Sequence, residues 1–180
     1  MIRLFAALTP PPEIVEALAS RQQGLAGAAW RPPETLHVTL RFFGEVAETA
    51  ADDLDAELTG AGRGALSLEL QGVGVFGEGV DLHAVWAGVV ENPALRQLAR
   101  ACETAARRAG LKPDTRRYRP HLTLAYLNRA EPATVAEWIR ANNLLRSPTF
   151  RVDAFGLYSS RMGAGGSRYR LERFYRLGGG

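Results

Sequence analysis

One cysteine, one lysine and three histidines are all that this 180-residue chain holds of those residue types. With Cys102 alone no internal disulfide can form, which excludes a disulfide-stapled secreted scaffold. Within Arg100-Ala101-Cys102-Glu103 the thiol reads as a small core residue of a helix rather than a nucleophile. No two of the histidines and the cysteine have close ligand spacing such as His-x3-His or Cys-x2-Cys, so no metal or other cofactor is expected. Long apolar runs are also missing: none approaches the roughly 18 residues of a membrane span. The opening Met1-Ile2-Arg3-Leu4-Phe5-Ala6-Ala7-Leu8 has neither a basic leader nor a small-residue cleavage site. It stops at Thr9-Pro10-Pro11-Pro12 and reads as a first strand, not a signal peptide. The expected location is the cytoplasm.

What is present describes one ordinary globular domain, 46% apolar, or two small lobes sharing a core. The net charge of +3 is modest, but its make-up is lopsided: Lys112 is the one lysine among 22 basic residues. Guanidinium forks suit phosphate oxygens and stack on bases. A GC-rich genome also accounts for such a bias, so charge permits an anionic partner without requiring one.

Periodicity predicts an α+β chain. Ile2 to Leu8 reads as a strand. A helix capped by Thr9 is expected through about Leu25, then a strand from Leu36 to Phe43 ending at Gly44. Glu48 to Leu58 reads as a helix, and Ala65–Phe76 and Leu82–Val90 as strands joined across Gly77-Glu78-Gly79. Asn92-Pro93 caps a helix through Ala109, closed by Gly110. A strand over His121–Leu127 and a helix over Pro132–Ala141 follow. Two last strands, Phe150–Ser159 and Tyr169–Leu177, are joined by the Gly-rich stretch Met162–Gly166, and the glycine tail is expected to fray.

One feature repeats. Leu36-His37-Val38-Thr39-Leu40-Arg41-Phe42-Phe43-Gly44 precedes a helix, and so does Pro120-His121-Leu122-Thr123-Leu124-Ala125-Tyr126-Leu127-Asn128. Each follows an Arg/Pro-rich segment, Arg31-Pro32-Pro33 or Arg117-Tyr118-Arg119-Pro120. The chain has only 10 threonines, so a Thr at a fixed offset from a given His is already uncommon. Two such matches with matching flanks make a chance repeat a poor explanation. In a strand, residues i and i+2 share a face. His37 and Thr39 then lie together, with Arg41 and Phe43 continuing their face, and His121 lies with Thr123. Related by a pseudo-two-fold, two imidazoles and two hydroxyls converge on one cleft. A neutral imidazole can take a proton from water while a protonated one gives a proton to a leaving oxygen. Threonine hydroxyls can donate to phosphate oxygens as charge builds there. No metal is needed. His83 lacks the threonine and reads as a rim residue.

These motifs resemble the two-histidine phosphoesterase superfamily, and within it the RNA 2′,3′-cyclic phosphodiesterases historically called 2′-5′ RNA ligases. The resemblance is carried by Arg3–Leu8, by Trp30-Arg31-Pro32-Pro33-Glu34-Thr35-Leu36-His37-Val38-Thr39-Leu40 with Phe42–Val46, by Gly72–Phe76, Val85–Val89, Arg119–Ala125 and Leu157–Ser160. It implies an α+β, bilobal, LigT-like fold: two antiparallel sheets across a central cleft with helices outside. Residues 1–180 would form one domain, each lobe contributing one motif. It implies hydrolysis of a terminal 2′,3′-cyclic phosphate to a 2′-phosphate, with His37 as acid at the ribose 3′ oxygen and His121 as base toward water. Thr39 and Thr123 would hold the phosphate. The implied partner is an RNA 3′ end or nucleotide bearing the cyclic phosphate, acted on by a monomer. Joining RNA ends through a 2′-5′ bond and non-catalytic binding of RNA ends are the competing readings.

One departure stands out. Family members commonly carry Arg where this chain has Tyr126, and strand alternation turns Tyr126 away from His121 unless a bulge re-aims it. The phosphate's charge then falls to Arg41 or Arg129. Arg41, Phe43, Tyr126 and Arg129 are the further candidates for substrate contact, while Trp30 reads as core.

Overall fold

The computed structural model describes residues 1–163 and 166–178. Part of the expected Gly-rich connection, Ala164 and Gly165, and the expected fraying of Gly179 and Gly180 lie outside the described residues. The strands are β1 (Ile2–Leu8), β2 (Ala28–Trp30), β3 (Val38–Val46), β4 (Leu66–Leu68), β5 (Leu70–Phe76), β6 (Ala84–Val89), β7 (His121–Leu127), β8 (Phe150–Val152), β9 (Ala154–Gly163) and β10 (Gly166–Arg176). The helices are α1 (Pro12–Ala19), α2 (Glu48–Thr59), α3 (Pro93–Arg108) and α4 (Pro132–Asn142). Among the described residues no helix is long and apolar enough to cross a membrane.

All strand pairs are antiparallel, in the order β10-β9-β1-β3-β7-β6-β5, with β2 against β7 and a separate β4–β8 pair. The sheet's two halves touch at one place. Between β3 and β7, the two motif strands, one residue pair is made, Val38 with Leu122. Both residues are buried, at 1% and 0% exposure, so the opposite face of this junction is left for the histidines and threonines. β1 is buried on both faces: Leu4, Ala6 and Leu8 enter the main core, while Phe5 and Ala7 lie under the site.

The helices cover the core face. In α3, Leu95, Leu98, Cys102, Ala105 and Ala106 are buried at helical spacing. Its cap is Asn92, whose side chain accepts from the Leu95 amide at 3.0 Å. Burial pushes the Cys102 thiol up to about 12, leaving it protonated and unreactive.

Several boundaries differ from expectation. α1 starts after Pro11 without a side-chain cap and ends at Ala19, not Leu25; the Thr9 hydroxyl meets Tyr158 instead. Past its end, Gln22 donates to the carbonyls of Arg31 and Leu124, tying the segment ahead of the first motif to β7. The expected strands over Ala65–Phe76 and Phe150–Ser159 each break once, at Glu69 and Asp153, so that β4 and β8 can pair with each other. β3 runs on through Gly44, whose φ is positive inside the strand, a conformation natural to glycine.

Candidate active site

Continuing the Val38–Leu122 register by one residue on each side sets His37 opposite Thr123 and Thr39 opposite His121. Each imidazole is anchored in the same way. His37 Nδ1 lies 2.6 Å from the Thr35 carbonyl, and His121 Nδ1 lies 2.6 Å from the Arg119 carbonyl. A carbonyl only accepts, so Nδ1 carries the proton in both rings and Nε2 is left for chemistry. Among the described residues neither the Thr39 nor the Thr123 hydroxyl has an intramolecular partner.

Aromatic rings wall both histidines. Phe5 and Tyr169 stand 5.0 and 5.3 Å from His37; Phe76 and Trp86 stand 4.7 and 6.3 Å from His121. The low-dielectric walls disfavour the imidazolium. Burial, helped by the charge of Arg31 and by His121 and opposed by the Thr35 carbonyl, brings His37 down to about 4. Burial also lowers His121, against the Arg119 carbonyl.

Two bulges decide what else reaches this face. β1 pairs Ala7 with Thr39 but Ala6 with Arg41, so Leu40 is an extra residue and the alternation of β3 inverts there. β6 pairs Trp86 with Thr123 but Val85 with Ala125, so Leu124 is extra in β7. These are equivalent positions of the repeat. The consequence is that Phe42 and Tyr126 join the histidine face, while Arg41 and Phe43 turn to the helix side. There Arg41, 9% exposed, bonds Glu103 at 2.6 Å and the Lys112 carbonyl at 2.8 Å, with Asp114 at 3.8 Å. Phe43 packs against the core with the Arg41 guanidinium over its ring. Arg129 is exposed beyond the far end of β7, with a positive φ. Trp30 packs on Trp138 at 5.8 Å. His83 stands at the rim, stacked on Phe76.

The residue that sequence reasoning did not place here is Arg31. Its guanidinium lies 5.5 Å from the Tyr126 ring and 5.3 Å from the Tyr169 ring. The sign available in the sequence was its position in the Arg/Pro-rich segment ahead of the first motif. Beside His121 a groove of about 860 Å³ opens, bordered also by Thr39, Arg41, Phe76, Arg100 and Arg117. Among the described residues no three His, Cys, Asp or Glu groups cluster as a metal would need.

An antiparallel α+β frame that presents two His-x-Thr strands on one face, each with its Nδ1–H anchored to the backbone, is the architecture of a two-histidine phosphoesterase. The chain belongs to the 2′-5′ RNA ligase superfamily, whose family model matches residues 10–164. It is 28% identical over 177 residues to the RNA 2′,3′-cyclic phosphodiesterase of Archaeoglobus fulgidus, covering 97% of this chain and 99% of that one. Identity to the Escherichia coli K12 protein of the same name is 29%, with 93% and 92% covered. Escherichia coli LigT in complex with 3′-AMP superposes with a TM-score of 0.77 at 26% identity over 98% of both chains. A Thermus thermophilus protein shares the fold at a TM-score of 0.82 and 23% identity, again over 98% of both.

Proposed function

We propose that the chain is an RNA 2′,3′-cyclic phosphodiesterase that opens a terminal cyclic phosphate to a 2′-phosphate by two-histidine catalysis without a metal. The observation that carries this is the matched pair of histidines, each held through Nδ1–H by the carbonyl two residues earlier, with a threonine hydroxyl beside each. The curated relatives of that name over nearly the whole chain support the same reaction.

In this reading the phosphate sits at the junction of β3 and β7. Nε2 of His121 takes a proton from water as the water oxygen bonds to phosphorus. The bond from phosphorus to the ribose 3′ oxygen breaks, and that oxygen receives the proton held on Nε2 of His37. Thr39 and Thr123 donate to the non-bridging oxygens as their charge grows. In the free protein the aromatic walls keep both rings neutral near pH 7. An anionic phosphate placed between them favours the imidazolium and supplies the protonated acid only when substrate is bound. The substrate is an RNA 3′ end or a nucleotide, and residues 1–180 act as one domain, as a monomer.

Incubation with an oligonucleotide ending in a 2′,3′-cyclic phosphate, with and without EDTA, is expected to yield the 2′-phosphate at equal rates. A 3′-phosphate product, no turnover, or loss of turnover in EDTA would sink this reading. A 2′-5′ joined product formed faster than the hydrolysed one, when a 5′-hydroxyl strand is added, would assign ligation as the main reaction.

A further inference from the structure

We propose that Arg31 is the cation that binds the substrate's phosphate, held in place by the rings of Tyr126 and Tyr169. The inference deepens the cyclic-phosphodiesterase reading of the same site and rests on it.

The chain buries two arginines among its described residues, Arg31 at 8% exposure and Arg41 at 9%. Arg41 is neutralised by Glu103 and Asp114. Arg31 is in no ion pair among the described residues, and its Nη2 is buried without a hydrogen-bond partner. A guanidinium withdrawn from water and left unpaired is costly, and that cost is recovered when an anion arrives. Its surroundings compensate in part. The faces of aromatic rings attract a cation at short range, and two phenol rings are close enough to do so here.

The location is the second argument. Tyr126 is on β7 and Tyr169 on β10, so Arg31 bridges the two halves of the sheet on the histidine face. Tyr169 also stands at 5.3 Å from His37, on which the Arg31 charge acts. Backbone bonds fix its position: the Arg31 amide donates to the Leu124 carbonyl at 2.8 Å, and its carbonyl accepts from Gln22 at 2.7 Å. Leu124 is the bulged residue that turns Tyr126 toward Arg31. Arg3 likewise lies over a ring of the motif strands, Phe42 at 5.0 Å, but Arg3 is exposed, whereas Arg31 is withdrawn from water. Tyr126 is thus a positioning residue for the guanidinium.

The test uses the full chain with inorganic phosphate as a probe read by calorimetry, followed by turnover of the cyclic-phosphate oligonucleotide. Arg31→Met is expected to weaken phosphate binding by about tenfold or more and to lower kcat/KM by about 10²–10³-fold. The double variant Arg31→Met/Tyr126→Arg returns a guanidinium from the neighbouring strand and is expected to recover part of both losses. So is methylguanidinium added to Arg31→Met. Tyr126→Phe, which keeps the ring, is expected to weaken phosphate binding less than Tyr126→Ala does. Folded Arg31→Met with phosphate affinity and kcat/KM both within about twofold of wild type overturns the proposal, as do losses that neither guanidinium relieves. If Arg31→Met does not fold, Arg31→Gln, which keeps polar donors but not the charge, decides in the same way: weakened phosphate binding supports the proposal and unchanged binding overturns it. Phosphate binding is read without turnover, so its loss stands even if the wild type fails to open the cyclic phosphate. Turnover with unaltered phosphate affinity in Arg31→Met removes Arg31 alone.

Discussion

Taken as single residues, the two histidines share an anchor and differ in environment. Each donates Nδ1–H to a carbonyl two residues back, a local contact that a His at the head of a strand can make unaided. His37 is pressed between Phe5 and Tyr169 with Arg31 near, which brings it to about 4, whereas His121 is lowered by burial. The proposed reaction needs one ring protonated and the other neutral. In the free enzyme both groups titrate below 6.5, so kcat/KM is expected to peak between about pH 4 and 6.5. Above that window it falls tenfold per pH unit. The anionic phosphate in the Michaelis complex raises both groups, so the optimum of kcat moves to higher pH than that of kcat/KM. A profile with both optima above pH 7.5 would contradict the desolvated pair. His37→Ala and His121→Ala are each expected to lower kcat by about 10²–10⁴-fold. Equal kcat in either variant, measured with saturating cyclic-phosphate substrate, would leave only a binding role.

Among the elements, one-residue bulges at Leu40 in β3 and Leu124 in β7 sort the side chains. Without them Arg41 would share the face of the histidines and Tyr126 would face the core. With them Arg41 becomes the tie between β3 and α3, through Glu103 and the 112–114 turn. Removing one partner of a buried pair destabilises by about 3–5 kcal/mol. Glu103 keeps Arg107 at 2.7 Å and is partly exposed, so the lower end applies here. Arg41→Met is expected to lose about 3 kcal/mol in urea unfolding while kcat/KM at ordinary temperature stays within about threefold. A drop in kcat/KM comparable to that of a histidine variant would place Arg41 in the reaction after all.

For the molecule as a whole, the site's desolvation also bears on stability. His37 folds with its pKa near 4 against 6.5 when unfolded. The unfolded chain therefore binds more protons between those values, and stability rises with pH across them. The contribution is fully present above pH 6.5 and is lost as pH falls toward 4, on the order of 3 kcal/mol. Between pH 7 and pH 4, the wild type is expected to lose about that much more than His37→Phe, whose ring fits beside Phe5 and Tyr169. Parallel urea midpoints for the two proteins across this range would show that His37 is not held neutral by the fold.

The elements and the candidate site residues were legible in the chain alone, because both rest on local pattern. Alternation marked β1, β3 and β7; Asn92-Pro93 and Gly110 bounded α3 through cap chemistry; and the His-x-Thr repeat named His37, Thr39, His121 and Thr123. The remainder came from contacts between distant segments. Whether Leu40 and Leu124 are extra residues depends on the registers offered by β1 and β6, and each bulge reverses the facing of the side chains that follow it. The split of two long strands at Glu69 and Asp153 needed the distant partner that β4 and β8 are for each other. Arg31 looked like any of the chain's many arginines until the fold set it against Tyr126 and Tyr169, both far along the chain from it. Burial without a counter-charge is a property of assembled surroundings, and no neighbour in the chain announces it.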